Sequence, residues 1–397
     1  MELLVAADSL FLRTPDGRYW CKTIYGYKFW VRYLTVFDDV VIVSRTKSAD
    51  FSEVEGYLQV NGPHVTVAEL PYMRGMKQYI THYFKFRKAA RDAVKNAECA
   101  LIRLPSVSAF MVLKYFKKLG KPYALEVVAD PFDAYASNKI AQFLYTWKLK
   151  EAVRKANGVS YVTQKYLQSK YPSSASIYGN SNAFFESYYS TIDLPVTYLT
   201  HPRGYTTEKK ENFTIVHTAN SINNDNKGHE TLIKILKKLR EKKYKVNVVF
   251  IGDGSRRPYF ERISEELGVK DHITFTGLLS SSQKVRETLL QGDLFVFPTK
   301  AEGLPRAIIE AMAVGLPCLS TPVNGIPELL NKENLYDPLD VDGFTNKIIE
   351  LLNSPEKLEL MSKENVAKAR EYTIDKITIR RNEFYESLKR LAIKINN

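Results

Sequence analysis

The chain has 397 residues, a normal apolar share of 45% and a net charge of +13. That length exceeds one ordinary core and predicts two domains, and the composition excludes a disordered or fibrous chain. Three scattered cysteines, Cys21, Cys99 and Cys318, exclude a disulfide framework or a zinc spacing and predict a reducing cytoplasm. Met1 to Ala7 is too short and too acidic for a signal peptide, and no run reaches the ~18 apolar residues of a membrane span.

Strand-like runs fall at 3–7, 40–43, 65–70, 99–104, 123–128 and 158–162, with helix-like stretches at 108–119 and 141–157 between them. Alternating strands and helices predict a mainly parallel sheet covered on both faces. The excess charge belongs mostly here. Residues 1–200 hold 26 Lys and Arg against 17 Asp and Glu, giving +9, which leaves +4 for the remainder. Nucleic acid, an anionic membrane surface or an anionic substrate would each suit such a surplus. The segment 72–95 concentrates aromatics and cations. It suits a membrane interface or an amphipathic helix packed into its domain. No nucleic-acid-binding module is visible, so no nucleic-acid partner is expected. Asp130 ends the strand-like run before Pro131. It is placed either to accept a hydrogen bond from a ligand or to cap a turn.

A stretch rich in Pro, Thr and charge, 193–212, reads as a linker. Strands follow at 213–218, 246–252, 273–277, 293–298 and 317–320, with helices at 229–242, 258–267, 281–291 and 305–314. The tail, 374–395, is amphipathic and helical in pattern. Asp340-Val341-Asp342 precedes a late helix and reads as loop and cap rather than a metal site.

The segment from Lys300 to Leu330 is the most informative. A strand, a Gly-Pro loop holding Glu302, and a helix holding Glu310 succeed one another. Pro305 suits the first helical position. The free N–H groups of that first turn favour an anion such as phosphate, while the two carboxylates accept hydrogen bonds from hydroxyls. Phosphate and hydroxyls together describe a nucleotide-sugar.

This segment resembles the donor-site motif of family 4 glycosyltransferases of the GT-B type, E-G-[FL]-[GP]-x4-E-A-M-A-x-G-x-P. The resemblance extends over the C-terminal half through Ile251-Gly252-Asp253-Gly254, Thr274 to Gly277, Gly292 to Val296 and Lys227-Gly228-His229-Glu230. It implies an α/β chain with two Rossmann-like doubly wound domains facing a cleft. Residues 1–195 form the acceptor side, with helix 376–397 crossing back, and 205–375 bind the donor. The implied activity is retaining transfer of a sugar, UDP-linked by preference, to a glycan or lipid-linked acceptor in polysaccharide or glycolipid biosynthesis. No metal or other cofactor is implied. The implied place is the cytoplasm, on the inner membrane face if 72–95 touches lipid. Lys227 is implied to neutralise the donor diphosphate, Glu302 to hold the transferred sugar and Glu310 the ribose. Gly252 and Gly254 allow close approach of the backbone, and Gly303 and Leu304 offer N–H groups. Asp130 joins Glu302 and Lys227 as a catalytic candidate. Two departures stand out. Ser221 replaces a customary arginine, which leaves Arg306 as a substitute cation. The usual glycine pair after the first strand is absent, and Gly17 is its nearest counterpart. A nucleotide-sugar epimerase of the same fold and a non-catalytic subunit are the rival expectations.

Overall fold

The structure is a computed structural model that describes residues 1–73, 78, 81–136, 138–205 and 212–396. The chain divides into two compact units. The first comprises Met1–Val162, Leu167–Tyr189 and Ile379–Asn397, and the second Thr163–Tyr166 and Ser190–Thr378.

The first unit holds β1 (Glu2–Arg13), β2 (Tyr19–Cys21), β3 (Asp39–Ser48), β4 (Leu58–Gln59), β5 (Val65–Pro71), β6 (Cys99–Leu104), β7 (Tyr123–Val127), β8 (Gly158–Tyr161) and β9 (Phe185–Tyr188). Its parallel strands run in the order β5-β3-β1-β6-β7-β8-β9, and the short antiparallel strands β2 and β4 extend from the end of β1. β1 is longer than the apolar run predicts. Asp8 and Ser9 interrupt that run, and the register shifts between Ala6 and Leu10. Buried Ser44 holds the irregularity together. Its hydroxyl accepts from Ser9 N at 3.2 Å and donates to Ser9 O at 2.8 Å, so the displaced backbone is satisfied.

β6 and β7 carry a buried ion pair, Arg103 with Glu126. Tyr189 and Tyr385 both donate to Glu126 Oε1, at 2.9 and 3.1 Å. Tyr385 lies on the helix Ile374–Asn396, which leaves the second unit at Thr378 and joins the first at Ile379. Cys99 and Cys318 are buried strand residues, and burial pushes the Cys99 thiol up to about 12.

The second unit holds β10 (Phe213–Ser221), β11 (Val246–Asp253), β12 (Ile273–Phe275), β13 (Leu294–Val296) and β14 (Cys318–Leu319). All pairings are parallel, in the order β12-β11-β10-β13-β14. The chain steps outward from β10 to β12, then returns to the other side of β10. The reversal lies between β10 and β13, and open α/β sheets bind ligands beyond the carboxyl ends of such strands. The helix His229–Glu241 shows why the sequence folds this way. Leu232, Ile235, Leu236 and Leu239 recur at helical spacing and are all fully buried against the sheet. The expected linker is partly integral to this unit. Arg203 donates Nε to Val314 O at 2.8 Å and its guanidinium also reaches Gly292 O and Leu289 O. Those carbonyls end two neighbouring helices, so a charged side chain that read as linker serves as a clamp.

Candidate active site in the second unit

Two loops meet beyond the carboxyl ends of β10 and β13. The first spans residues 222–228 and the second 297–305. Gly228 has φ +74°, and a Cβ there would lie 2.0 Å from Pro298 O. Only glycine allows that approach. Asn226 O accepts from Lys300 N at 2.7 Å and from Thr299 Oγ1 at 2.9 Å. Lys300 Nζ pairs with Asp225 Oδ2 at 2.6 Å. The loops thus form one frame, and the frame presents Lys227. Lys227 Nζ pairs with Glu302 Oε1 and donates to Ala301 O at 3.3 Å. Both side chains keep partial access to water, at 29% and 16% exposure.

His217, on β10, supports Lys227 from below. It is fully buried, and burial pushes its imidazole down to about 4, so the ring is neutral at ordinary pH. Its Nε2 lies 2.8 Å from Lys227 O, which makes that nitrogen the donor. His229 packs against it with ring centroids 4.4 Å apart and the rings tilted by 56°, and burial pushes His229 down to about 2. No sequence pattern marks His217, because its role depends on a carbonyl ten residues away.

The loop after β13 leads into the helix Arg306–Ala313. Pro305 is the N-cap of that helix rather than its first residue, with ψ 114°. A proline cannot offer a capping side chain, and none caps this helix. Its first-turn N–H groups and dipole are therefore open to an anion. Glu302 sits before this turn and Glu310 one turn inside it. Glu310 is half-buried and accepts no side-chain hydrogen bond among the described residues. Burial raises its carboxyl above the usual range, and the Arg306 charge pulls it back. Arg306 is half-buried on the same helix. The loop itself is pinned by Asn324, whose side chain donates to Glu302 O, and by Gly325 N, which donates to Gly303 O at 3.1 Å. Asn324 takes φ +48°, a conformation asparagine tolerates better than most residues. The sequence shows Asn324-Gly325 as an ordinary turn and hides this pin.

The remaining donor candidates fall around the same strand ends. Ser221 ends β10, is exposed, and accepts from Asn223 Nδ2 at 2.7 Å. Asn223 Oδ1 in turn accepts from Ser255 N at 3.0 Å. Gly252 and Gly254 have an internal packing reason. A Cβ at Gly252 would lie 1.8 Å from Ala219 O, and one at Gly254 2.6 Å from Ile222 O. These glycines seat the end of β11 against the end of β10.

Residues 206–368 match the family described as glycosyl transferases group 1. The second unit is a group 1 glycosyltransferase domain. The chain is 29% identical to Protein CapJ of Staphylococcus aureus over 98% of its own length and 96% of that protein. Its fold is that of sucrose-phosphate synthase from Thermosynechococcus elongatus, with TM-score 0.71 and 15% identity over 98% and 99% of the two chains. Anabaena HepE in complex with UDP gives TM-score 0.67 at 16% identity over 98% and 100%. This glycosyltransferase has the GT-B architecture of two Rossmann-like domains. No helix among its described residues is long and apolar enough to cross a membrane.

Three other expectations for the glycosyltransferase resolve in the geometry. Asp130, a catalytic candidate by sequence, is 1% exposed. It caps the short helix Pro131–Ala134, accepting from Phe132 N at 2.9 Å, and it also takes Lys170 Nζ and Tyr171 OH at 2.5 Å each. Its oxygens are engaged by residues of the first unit, and the capping alternative is present in the geometry. Asp340 caps the helix Val341–Leu352 by accepting from Gly343 N at 2.8 Å. Asp342 pairs with Lys238 at 2.5 Å. Part of segment 72–95 lies outside the described residues. Within it, the helix Tyr83–Val94 buries Phe86, Ala90 and Val94 and leaves Phe84 and Lys85 exposed. Phe86, Ala90 and Val94 pack inward, whereas Phe84 faces water.

Proposed function

We propose that this glycosyltransferase takes a sugar from a UDP-sugar and passes it, with retention at the anomeric carbon, to a hydroxyl of a glycan or lipid-linked acceptor in polysaccharide or glycolipid biosynthesis. The observation that carries this is the meeting of Lys227 and Glu302 at the strand-order reversal, in front of an uncapped helix N-terminus. The UDP in the HepE structure supports the choice of base.

In this reading Lys227 exchanges its carboxylate partner for the diphosphate. Glu302 then accepts from hydroxyls of the transferred sugar, and Glu310 from the ribose. Gly303 and Leu304 offer N–H groups beside the helix terminus. Arg306 takes the part that Ser221 cannot. The bond from the anomeric carbon to the phosphate oxygen breaks while the bond to the acceptor oxygen forms on the same face. The acceptor proton passes to the leaving diphosphate. Negative charge grows on that diphosphate during the step, and a lysine held in place beforehand stabilises it more than the ground state. The reading assigns no metal or cofactor, because Lys227 and the helix terminus carry the compensating charge.

A thermal-shift screen of UDP-, GDP- and other nucleotide-sugars tests the donor. The expected result is a rise in melting temperature with UDP-sugars that Glu310→Ala weakens. No shift with any nucleotide-sugar would overturn the reading.

A further inference from the structure

The helix Lys139–Lys155 turns an apolar stripe toward water. Ile140, Phe143, Leu144 and Trp147 recur at helical spacing, yet three of them are 81%, 78% and 55% exposed, and Leu144 is exposed as well. The residues that anchor this helix, Leu149, Ala152 and Val153, all lie in its second half. The first half buries only Gln142, whose amide donates to Phe132 O at 2.6 Å. A stripe of this size facing solvent marks an interaction surface.

Beside the stripe lies a groove of about 470 Å³ within the first unit. Tyr83, Phe110, Tyr145 and Trp147 line its apolar wall, and Lys114 and Lys148 stand on it. Phe110 and Tyr145 pack with ring centroids 5.4 Å apart, and Lys148 Nζ sits 4.9 Å from the Tyr145 ring. The one carboxylate on the groove, Glu151, is engaged by Lys155 at 2.8 Å and approached by Lys117 at 3.8 Å. Among the described residues neither Lys114 nor Lys148 has an acidic partner. Burial and the Lys114 charge both hold the Lys148 ammonium below the usual lysine range. Two like charges kept close beside a greasy surface suit an anion attached to something apolar.

The local charge argues the same way. The helix carries five basic residues against the single acid Glu151. On the neighbouring helix Tyr83–Val94, Phe84 is 77% exposed beside exposed Lys85, Arg87 and Lys88. A second copy of this basic face would bring like charges together, whereas an anionic bilayer complements it.

We propose that this face docks on an anionic lipid bilayer, with Phe143 and Trp147 entering the interfacial layer and Lys114 and Lys148 meeting lipid phosphates. Interfacial helices bind through buried apolar area together with attraction to anionic headgroups. The inference does not rest on the donor reading.

Co-sedimentation of the full chain with vesicles tests it. Phosphatidylcholine alone is compared with phosphatidylcholine containing one third phosphatidylglycerol. The expected result is binding to the anionic vesicles that falls with added salt, accompanied by a blue shift of Trp147 emission. Lys114→Gln with Lys148→Gln should weaken partitioning about 25-fold. Phe143→Ser with Trp147→Ser should weaken it at least about tenfold. These positions are exposed or half-exposed, so the circular dichroism spectrum and any nucleotide-sugar thermal shift should stay unchanged. Equal binding to neutral vesicles, or variants that partition like the parent, would overturn the proposal. So would a concentration-dependent dimer abolished by the serine pair, which would identify a second copy as the occupant.

Discussion

Each unit of the molecule contains a basic residue paired with a glutamate, and the two pairs differ in every other respect. Arg103 and Glu126 sit on adjacent strands at 5% and 4% side-chain exposure, and Tyr189 and Tyr385 donate to the carboxylate oxygen that Arg103 does not pair with. Lys227 and Glu302 sit on loops, keep contact with water, and have valences to spare. A buried pair is bound to its partners, since removing one leaves an uncompensated charge away from water. A half-exposed pair between loops can exchange partners at little cost. The comparison separates a pair that holds a domain together from one suited to handling a charged substrate.

The comparison breaks if the two pairs respond alike to mutation. The largest effect is expected at the buried one. Arg103→Leu should destabilise the first unit by about 3–5 kcal/mol, and the double change Arg103→Leu, Glu126→Leu should recover a good part of this. Denaturant unfolding of both variants checks it. Lys227→Ala should reverse the pattern. It should lower kcat by about 10²–10³-fold while changing stability by at most about 1 kcal/mol, as read by steady-state kinetics and unfolding together. A large stability loss there would make the pair structural.

Acid should act on the support beneath Lys227. His217 and His229 are held near 4 and 2, below the usual 6.5. Above about pH 6.5 both states leave these rings neutral, and the linkage is flat. Below it the unfolded chain takes up protons that the folded chain refuses, so stability falls, by about 2 kcal/mol per histidine at pH 5. Urea melts from pH 7 to 5 should show this slope, and His229→Phe should reduce it. The smallest effect is expected at Glu310. Glu310→Gln should raise the donor KM about tenfold and leave stability nearly unchanged, because that carboxylate accepts no hydrogen bond among the described residues.

The sequence exposed what is periodic or local. Leu232 to Leu239 declared a buried helix, and Glu302 and Glu310 stood out through their Gly-Pro loop and apolar run. Residues that act at a distance stayed hidden. His217 works through a carbonyl, Asn324 through a backbone oxygen 22 residues away, and Arg203 through helix ends 86 to 111 residues away. Asp130 was ambiguous for a related reason. A carboxylate before proline looks the same whether it faces a substrate or Lys170 and Tyr171. The stripe on Lys139–Lys155 has the pattern of a buried helix, and only the packing reveals that its first half faces outward.

The tyrosine at 385 gives the first unit a particular order of birth. Glu126 receives that hydroxyl from 259 residues further along the chain. At ordinary elongation rates the ribosome adds that length in about 13–50 s. During that interval the amino-terminal half has its strands but not the helix residues that complete its charged core. A nascent chain halted before Tyr385 should therefore resist protease in its second unit and remain cleavable in its first.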